Sequence, residues 1–297
     1  MTLGTRKRAP GGRAMDWYSF QVGALECIAV NDGDAVYFAE EYATNAPRAQ
    51  VTEALALHGH QPDDIPSPYS GLVVRSEENL VLIDTGAGDL TPKVGKLRGN
   101  LRRAGVQPED IDTVILTHGH PDHIGGNVDI DGNPVFPNAR FVMFRDEWDY
   151  WTDETTLAAL NPIFGEWSRH NLSPLRERVE LLDTETEIAP GIEAIDAAGH
   201  TPGHLALSIL SGGDELLYIS DAALHPIHLE HPDWHPVWDV EPTQAIANKR
   251  RLFDRAATEH AQVLAFHFPP FPSLGHVTKR GSGWEWQASV LDETPAR

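Results

Sequence analysis

Cysteine is nearly absent from this chain: Cys27 stands alone in 297 residues, so no internal disulfide can brace the fold. Cys27 sits in a predicted strand, Leu25 to Val30, as a small core residue. Basic residues are also scarce, with 23 Lys and Arg against 44 Asp and Glu and a net charge of -21, a balance that repels polyanions and excludes nucleic acid as a partner. No apolar run approaches the ~18 residues of a membrane span, so no membrane role is expected. The one basic cluster, Arg6-Lys7-Arg8, lies among Gly and Pro. Residues 1–14 therefore read as a disordered leader with Met15 as the natural start, and no apolar stretch follows that would make a signal peptide. A reducing, cytoplasmic location fits these features.

What is present is a hydrophobic content of 41 %, enough for one large domain over residues 15–290. Short apolar strands run into polar residues: Leu80 to Ile83 into Asp84-Thr85-Gly86, Leu216 to Ile219 into Ser220-Asp221, and Val263 to Phe266 into His267. Helices are predicted between them. One has Thr91 as N-cap, Pro92 at its first position, Val94, Leu97 and Leu101 on one face and Gly105 as its stop; another begins at Thr243 and buries Ile246, Phe253 and Ala257. Sheets flanked by helices follow from that alternation. Residues 31–70, rich in proline, read as an excursion over the core, and residues 129–180 as a helical insertion carrying Trp148, Tyr150, Trp151, Phe164 and Trp167.

The most informative segment is Thr117-His118-Gly119-His120-Pro121-Asp122-His123, directly behind the predicted strand Val114-Ile115-Leu116. Neutral imidazoles and a hard carboxylate at this spacing suit zinc, with iron or manganese as further options. Two imidazoles do not complete a catalytic site, which takes three protein ligands and keeps a position for water. His200, in Gly199-His200-Thr201-Pro202-Gly203-His204 behind the predicted strand Ile192 to Ala197, is the candidate third ligand. Asp122 and His123 then begin a second site that His267 can complete, and Asp221, with two oxygens, can bridge both. His58-Gly59-His60 follows a helical pattern without an Asp-His behind it and is read as ordinary. The loop bearing His225, His228, His231 and His235 is broken by Pro226, Pro232 and Pro236 and is expected to be irregular.

With these residues in this chain order, the sequence resembles the metallo-β-lactamase superfamily over roughly residues 20–280. The resemblance implies an α+β fold, an αββα four-layer sandwich with inserted helical segments and a dinuclear centre at one edge. It also implies His118, His120 and His200 on one metal, Asp122, His123 and His267 on the other, and Asp221 shared, with Asp84 and His204 supporting them. Two divalent ions, zinc foremost, would make a bridging hydroxide the nucleophile, Asp221 would hold both ions, and Asp122 would carry a proton to the leaving group.

Within the superfamily, the segments Pro137 to Met143, Glu147 to Trp151 and His267 to Gly275 resemble the branch of acyl-homoserine-lactone lactonases and methyl-parathion-hydrolase-like enzymes. The expected reaction is hydrolysis of a small neutral or apolar ester-like substrate, a lactone first, with phosphotriesters as a side activity. His225, Trp148, Trp151 and Phe271 are the expected substrate-binding residues. Some lactonases carry a tyrosine three residues after the bridging aspartate, where this chain has Leu224, and His225 is then the candidate polar substitute. Alternatives within the superfamily are a persulfide dioxygenase, with one iron on two histidines and an aspartate, and a glyoxalase II-like thioester hydrolase, for which few basic residues follow His267. A homodimer is compatible with the sequence.

Overall fold

The computed structural model describes residues 15–291, so the leader expected over residues 1–14 lies outside the described residues. Two seven-stranded sheets face each other. The first contains, in spatial order, β1 (Trp17–Val22), β2 (Leu25–Tyr37), β3 (Ile65–Ser76), β4 (Asn79–Ile83), β5 (Thr113–Ile115), β6 (Arg140–Phe144) and β7 (Val179–Leu182). The second begins with β8 (Glu187–Ala189), β9 (Ile192–Asp196), β10 (Leu205–Ser211) and β11 (Asp214–Ser220). It ends with β12 (Gln262–Ala265), β13 (Leu274–Arg280) and β14 (Gly283–Ala288).

Strand alternation builds three apolar layers. Ile83, Ile115, Val142 and Val81 from the first sheet meet Leu205, Leu207, Leu216 and Leu264 from the second between the sheets. The opposite face of the first sheet, with Leu82, Val114 and Phe141, packs on α3 (Leu97–Arg103), α5 (Arg145–Thr152) and α6 (Glu154–Ala159) through Leu101, Trp151 and Leu157. The outer face of the second sheet, with Leu217 and Val263, packs on α9 (Pro242–Glu259) through Leu252 and Phe253. The architecture is therefore the expected αββα sandwich. The central strands β4 and β5 are apolar on nearly every residue because helices and the facing sheet cover both their faces.

Several details differ from the sequence reading. The helix expected from Thr91 begins only at Leu97. Gly95 stands at φ +76°, so close to the Gly88 carbonyl that a Cβ would lie 2.1 Å from its oxygen, and the Asp32 carboxylate takes the Gly95 and Leu97 amides. These contacts hold residues 91–96 as a turn. Its end at Gly105, φ +84°, is as expected. The helix expected from Thr243 starts at Pro242 and buries Phe253, but Ile246 and Ala257 are only half-buried.

Much of residues 31–70 belongs to the first sheet, as the paired arms of β2 and β3 joined through α1 (Ala39–Tyr42) and α2 (Arg48–Leu57). Pro66 and Pro68 are tolerated because β4 pairs with β3 only from Leu72 onward, leaving their other edge free of ladder bonds. Likewise the expected insertion at residues 129–180 contains β6, a full member of the sheet, and its helical part starts at Arg145.

Candidate metal centre

The parallel pairs β4·β5 and β11·β12 aim four carboxyl ends at one edge of the sandwich. Asp84 follows β4, His118 and His120 follow β5, Asp221 follows β11 and His267 follows β12. His200 comes from the loop between β9 and β10. Immediately after His120, the single turn α4 (Pro121–Ile124) carries Asp122 and His123, with Pro121 fixing its first residue.

These seven side chains converge in two groups, His118, His120, His200 and Asp221, and Asp122, His123 and His267, whose ligand atoms lie within 4.8 Å of one another in each group. His120 Nδ1 is 3.0 Å from both His118 Nε2 and His200 Nε2. Asp221 faces both groups: Oδ2 lies 3.4 Å from His200 Nε2 and 3.2 Å from His267 Nε2, and Oδ1 lies 3.3 Å from His123 Nε2. Asp122 Oδ2 is 3.4 Å from His267 Nε2.

The outward nitrogens are held. His123 Nδ1 meets Asp84 Oδ2 at 2.8 Å, His200 Nδ1 meets Asp239 Oδ1 at 2.8 Å, and His267 Nδ1 meets Ser67 Oγ at 2.9 Å. Asp84, at φ +59°, also accepts the Thr117 amide and the Thr117 and Tyr218 hydroxyls, so one carboxylate orders the start of the histidine loop. His204 Nε2 accepts the Asp221 amide at 3.2 Å while its Nδ1 faces the Ala197 carbonyl at 3.1 Å, which places the Asp221 backbone. The buried Glu147 carboxylate accepts the amides of Gly119 and Gly203, tying the loop between His118 and His120 to the loop after His200. Gly119 is required there because a Cβ would lie 2.3 Å from Trp151 Cδ1.

Burial and the neighbouring histidines His123 and His120 hold the His118 pKa well below the imidazole range. For His123, burial also opposes charge, but the carboxylates of Asp221, Asp84 and Asp122 outweigh it and push the pKa well up. Two buried atoms in this cluster, His123 Nε2 and Asp221 Oδ1, face each other at 3.3 Å without hydrogen-bond geometry, and neither has another partner among the described residues. Buried polar atoms without partners are costly, and a divalent cation between them would satisfy both. Five imidazoles and two carboxylates, with three outward nitrogens already braced, fit a pair of zinc-like ions.

Beside the cluster lies a cavity of about 150 Å³ whose walls include Tyr37, Tyr42, Tyr69, Phe164, Leu224 and Trp238. Phe164 stacks toward His120 with ring centroids 5.5 Å apart. The residues expected as substrate walls lie elsewhere. Trp148 is buried in the helical layer, and Trp151 packs on His120 from behind with centroids 5.4 Å apart. Phe271 packs against the inter-sheet core. His225 is fully buried under His58 and His60, with ring centroids 5.3 and 5.2 Å away. The histidine-rich loop forms one helical turn, α8 (Ile227–Glu230), with His228 buried against the Tyr42 carbonyl and His231 stacked on Trp234.

Sequence reasoning missed Ser67, Asp239 and the three cavity tyrosines. Ser67 and Tyr69 share one face of β3 at a spacing of two, a signal that becomes readable only once that strand is placed against the site.

Comparison with known proteins agrees with this geometry. The N-acyl homoserine lactonase AiiA of Bacillus thuringiensis subsp. kurstaki is 27 % identical over 202 residues, covering 61 % of this chain and 73 % of that protein. A solved hydrolase of the beta-lactamase superfamily, AbOPH, superposes with a TM-score of 0.88 at 27 % identity over 95 % of this chain and 100 % of the other. The dizinc quorum-quenching lactonase AidC does so with a TM-score of 0.86 at 26 % identity over 93 % of this chain and 98 % of its own. Residues 64–266 match the family model described as the metallo-beta-lactamase superfamily, and the chain belongs to that family.

Proposed function

We propose that this metallo-β-lactamase-fold hydrolase opens small, uncharged ester-like substrates, lactones first, at a dizinc centre held by His118, His120 and His200, by Asp122, His123 and His267, and by Asp221 between them. The observation that carries the substrate class is the cavity wall. Among the described residues it is lined by tyrosines, apolar side chains, Ser67 and the candidate ligands themselves, with no lysine or arginine among them. The carboxylates of a substrate such as a glutathione thioester would find no basic side chain to pair with there, whereas a lactone ring with an acyl chain needs none. The names of the relatives point the same way. A persulfide dioxygenase centre, with one iron on two histidines and an aspartate, would leave the remaining buried ligands of this site without use.

Two divalent ions held by these residues would supply an acidified water and polarisation of the substrate's carbonyl or phosphoryl oxygen. The chain's own residues do the rest. Asp221 sets the spacing of the two groups. Asp122, whose side chain keeps 13 % exposure against 4 % for Asp221, is the carboxylate that opens to the cavity and can move a proton to the departing oxygen. Phosphotriesters share the neutral charge, and their tetrahedral phosphorus resembles in shape the tetrahedral intermediate of ester hydrolysis; they are the proposed side substrates.

A panel of lactones, aryl esters, thioesters and phosphotriesters run on the zinc-loaded protein tests the reading. Lactones are expected to give the highest kcat/KM. A preference for thioesters, or inertness toward every lactone with two zinc ions bound, would overturn it.

A further inference from the structure

Two phenols on the cavity wall face each other. Tyr37, at the end of β2, and Tyr69, in β3, bring their hydroxyl oxygens to 2.7 Å. At that separation one hydroxyl donates to the other. Each phenol carries one proton, so the pair holds two and its mutual bond uses one. Neither oxygen has another side-chain or backbone partner among the described residues, so the second proton is left to point into the cavity.

The pair's position is fixed by aromatic packing. The Tyr69 ring meets His267 edge-on with centroids 5.1 Å apart, and Tyr37 is wedged between His267 at 6.2 Å and Trp238 at 5.1 Å. Ser67, two residues before Tyr69 on the same strand face, holds His267 from behind. The hydroxyl pair therefore lies beside His267, whose Nε2 is 3.4 Å from Asp122 Oδ2. Leu224 offers no polar atom on this wall.

We propose that the Tyr37–Tyr69 hydroxyl pair is a hydrogen-bond donor to the leaving oxygen of the substrate. This rests on the reading of the cavity as an ester-hydrolysing site. When water adds to the acyl carbon, the bond from that carbon to the leaving oxygen breaks and its electron pair passes to the oxygen. The proton that finally neutralises that oxygen comes from the attacking water by way of Asp122. The phenol proton is shared with the oxygen while negative charge develops and stays on the pair, so no further reactant is needed. Mutual bonding pre-orients the free proton, because the acceptor phenol is held by its partner.

The test uses the zinc-loaded Tyr37→Phe/Tyr69→Phe protein, which keeps both rings, with zinc content measured alongside. For alkyl esters and lactones, whose leaving oxygen is strongly basic, kcat is expected to fall about 100-fold, the scale of a lost oxyanion donor. For nitrophenyl esters, whose leaving oxygen needs little help, the expected fall is about three-fold or less. A loss equal across leaving groups, or none, would overturn the assignment.

Binding gives a readout free of turnover. Calorimetry compares N-hexanoyl-homoserine, which keeps the departed hydroxyl, with N-hexanoyl-2-aminobutyrate, which lacks it. Wild type is expected to favour the hydroxyl ligand by about ten-fold and the double variant to lose that preference, whereas an unchanged preference overturns the proposal. This comparison holds even if the wild type opens no lactone, so failure of the substrate reading and failure of the tyrosine assignment are distinguishable. Should the double variant bind fewer than two zinc ions, the single Tyr37→Phe and Tyr69→Phe proteins carry the same comparison. Each is expected to lose part of the preference, and full retention in both overturns the assignment.

Discussion

Asp84 holds His123 by a 2.8 Å contact from its Oδ2 to the histidine's Nδ1, which leaves Nε2 facing Asp221. The same arrangement recurs 39 residues beyond His200, where Asp239 takes Nδ1 of that ring at 2.8 Å. Each carboxylate fixes one ring's tautomer and raises the basicity of the nitrogen turned to the site. One carboxylate brace serves each of the two candidate ligand groups, with the Ser67 hydroxyl added at His267.

That pairing predicts site-selective losses. Asp84→Asn is expected to weaken zinc binding roughly 10- to 100-fold at the group containing His123, and Asp239→Asn to do so at the group containing His200. Chelator competition that follows zinc released per chain reads this out. Each variant should surrender one ion early and keep the other, whereas simultaneous loss of both ions in both variants would show that the braces do not act on separate groups.

Glu147 predicts a stability effect at a distance from any ligand atom. Its buried carboxylate accepts the Gly119 and Gly203 amides at 2.9 and 2.8 Å, and burial pushes its pKa up. Glu147→Gln keeps the shape but turns one acceptor into a donor that faces a backbone N–H. A lost bond and an unsatisfied buried donor together cost about 2 to 4 kcal/mol. Urea unfolding of the zinc-free protein measures it, and a change below about 0.5 kcal/mol would mean that the two loops are held by other contacts.

The contrast between Asp84 and Glu147 shows what the sequence could disclose. Asp84 stands in a strand-end pattern, and the candidate ligands cluster within short segments or follow apolar strands, so local sequence was enough to pair them with chemistry. The four layers were legible for the same reason, since apolar runs flanked by polar residues survive in any context. Glu147, Ser67 and Asp239 act across 28 to 200 residues of chain, through bonds that only tertiary packing creates. Trp148 and Trp151 carried the right composition for a substrate wall, yet their rings serve the helical layer, while Phe164 of the same aromatic segment reaches the cavity. The cavity wall takes Tyr37 from the end of β2, Tyr42 from α1 and Tyr69 from β3, the last a strand that Pro66 and Pro68 disguised.

Phe164 is expected to set chain-length preference. It is half-buried, lines the cavity and stacks toward His120. Phe164→Ala removes apolar contact worth about 1 to 1.5 kcal/mol to a bound acyl chain, so KM for a long-chain acyl lactone should rise roughly five- to ten-fold. A short-chain substrate, which does not reach the ring, should change little. Equal effects on both lengths would place Phe164 in support of His120 rather than against the acyl chain.

Lys249 makes a prediction in pH. It is buried on α9, its Nζ donates to the Trp234 carbonyl at 2.6 Å, and burial lowers its pKa from 10.5 to about 8. The folded chain thus releases this proton near pH 8, whereas the unfolded chain holds it to about 10.5. Between those values the unfolded state binds more protons, so stability rises with pH across that window, and the cost is fully present below it. A shift of this size corresponds to about 3 kcal/mol. Lys249→Met removes that cost but also gives up the bond to Trp234, worth about 1 kcal/mol. The variant should therefore be more stable than wild type by about 2 kcal/mol at pH 7, and the advantage should vanish or reverse by about pH 10.5. Unfolding free energies measured at both pH values decide it, and a difference independent of pH would mean that the Lys249 ammonium is solvated as well in the folded chain as in the unfolded one.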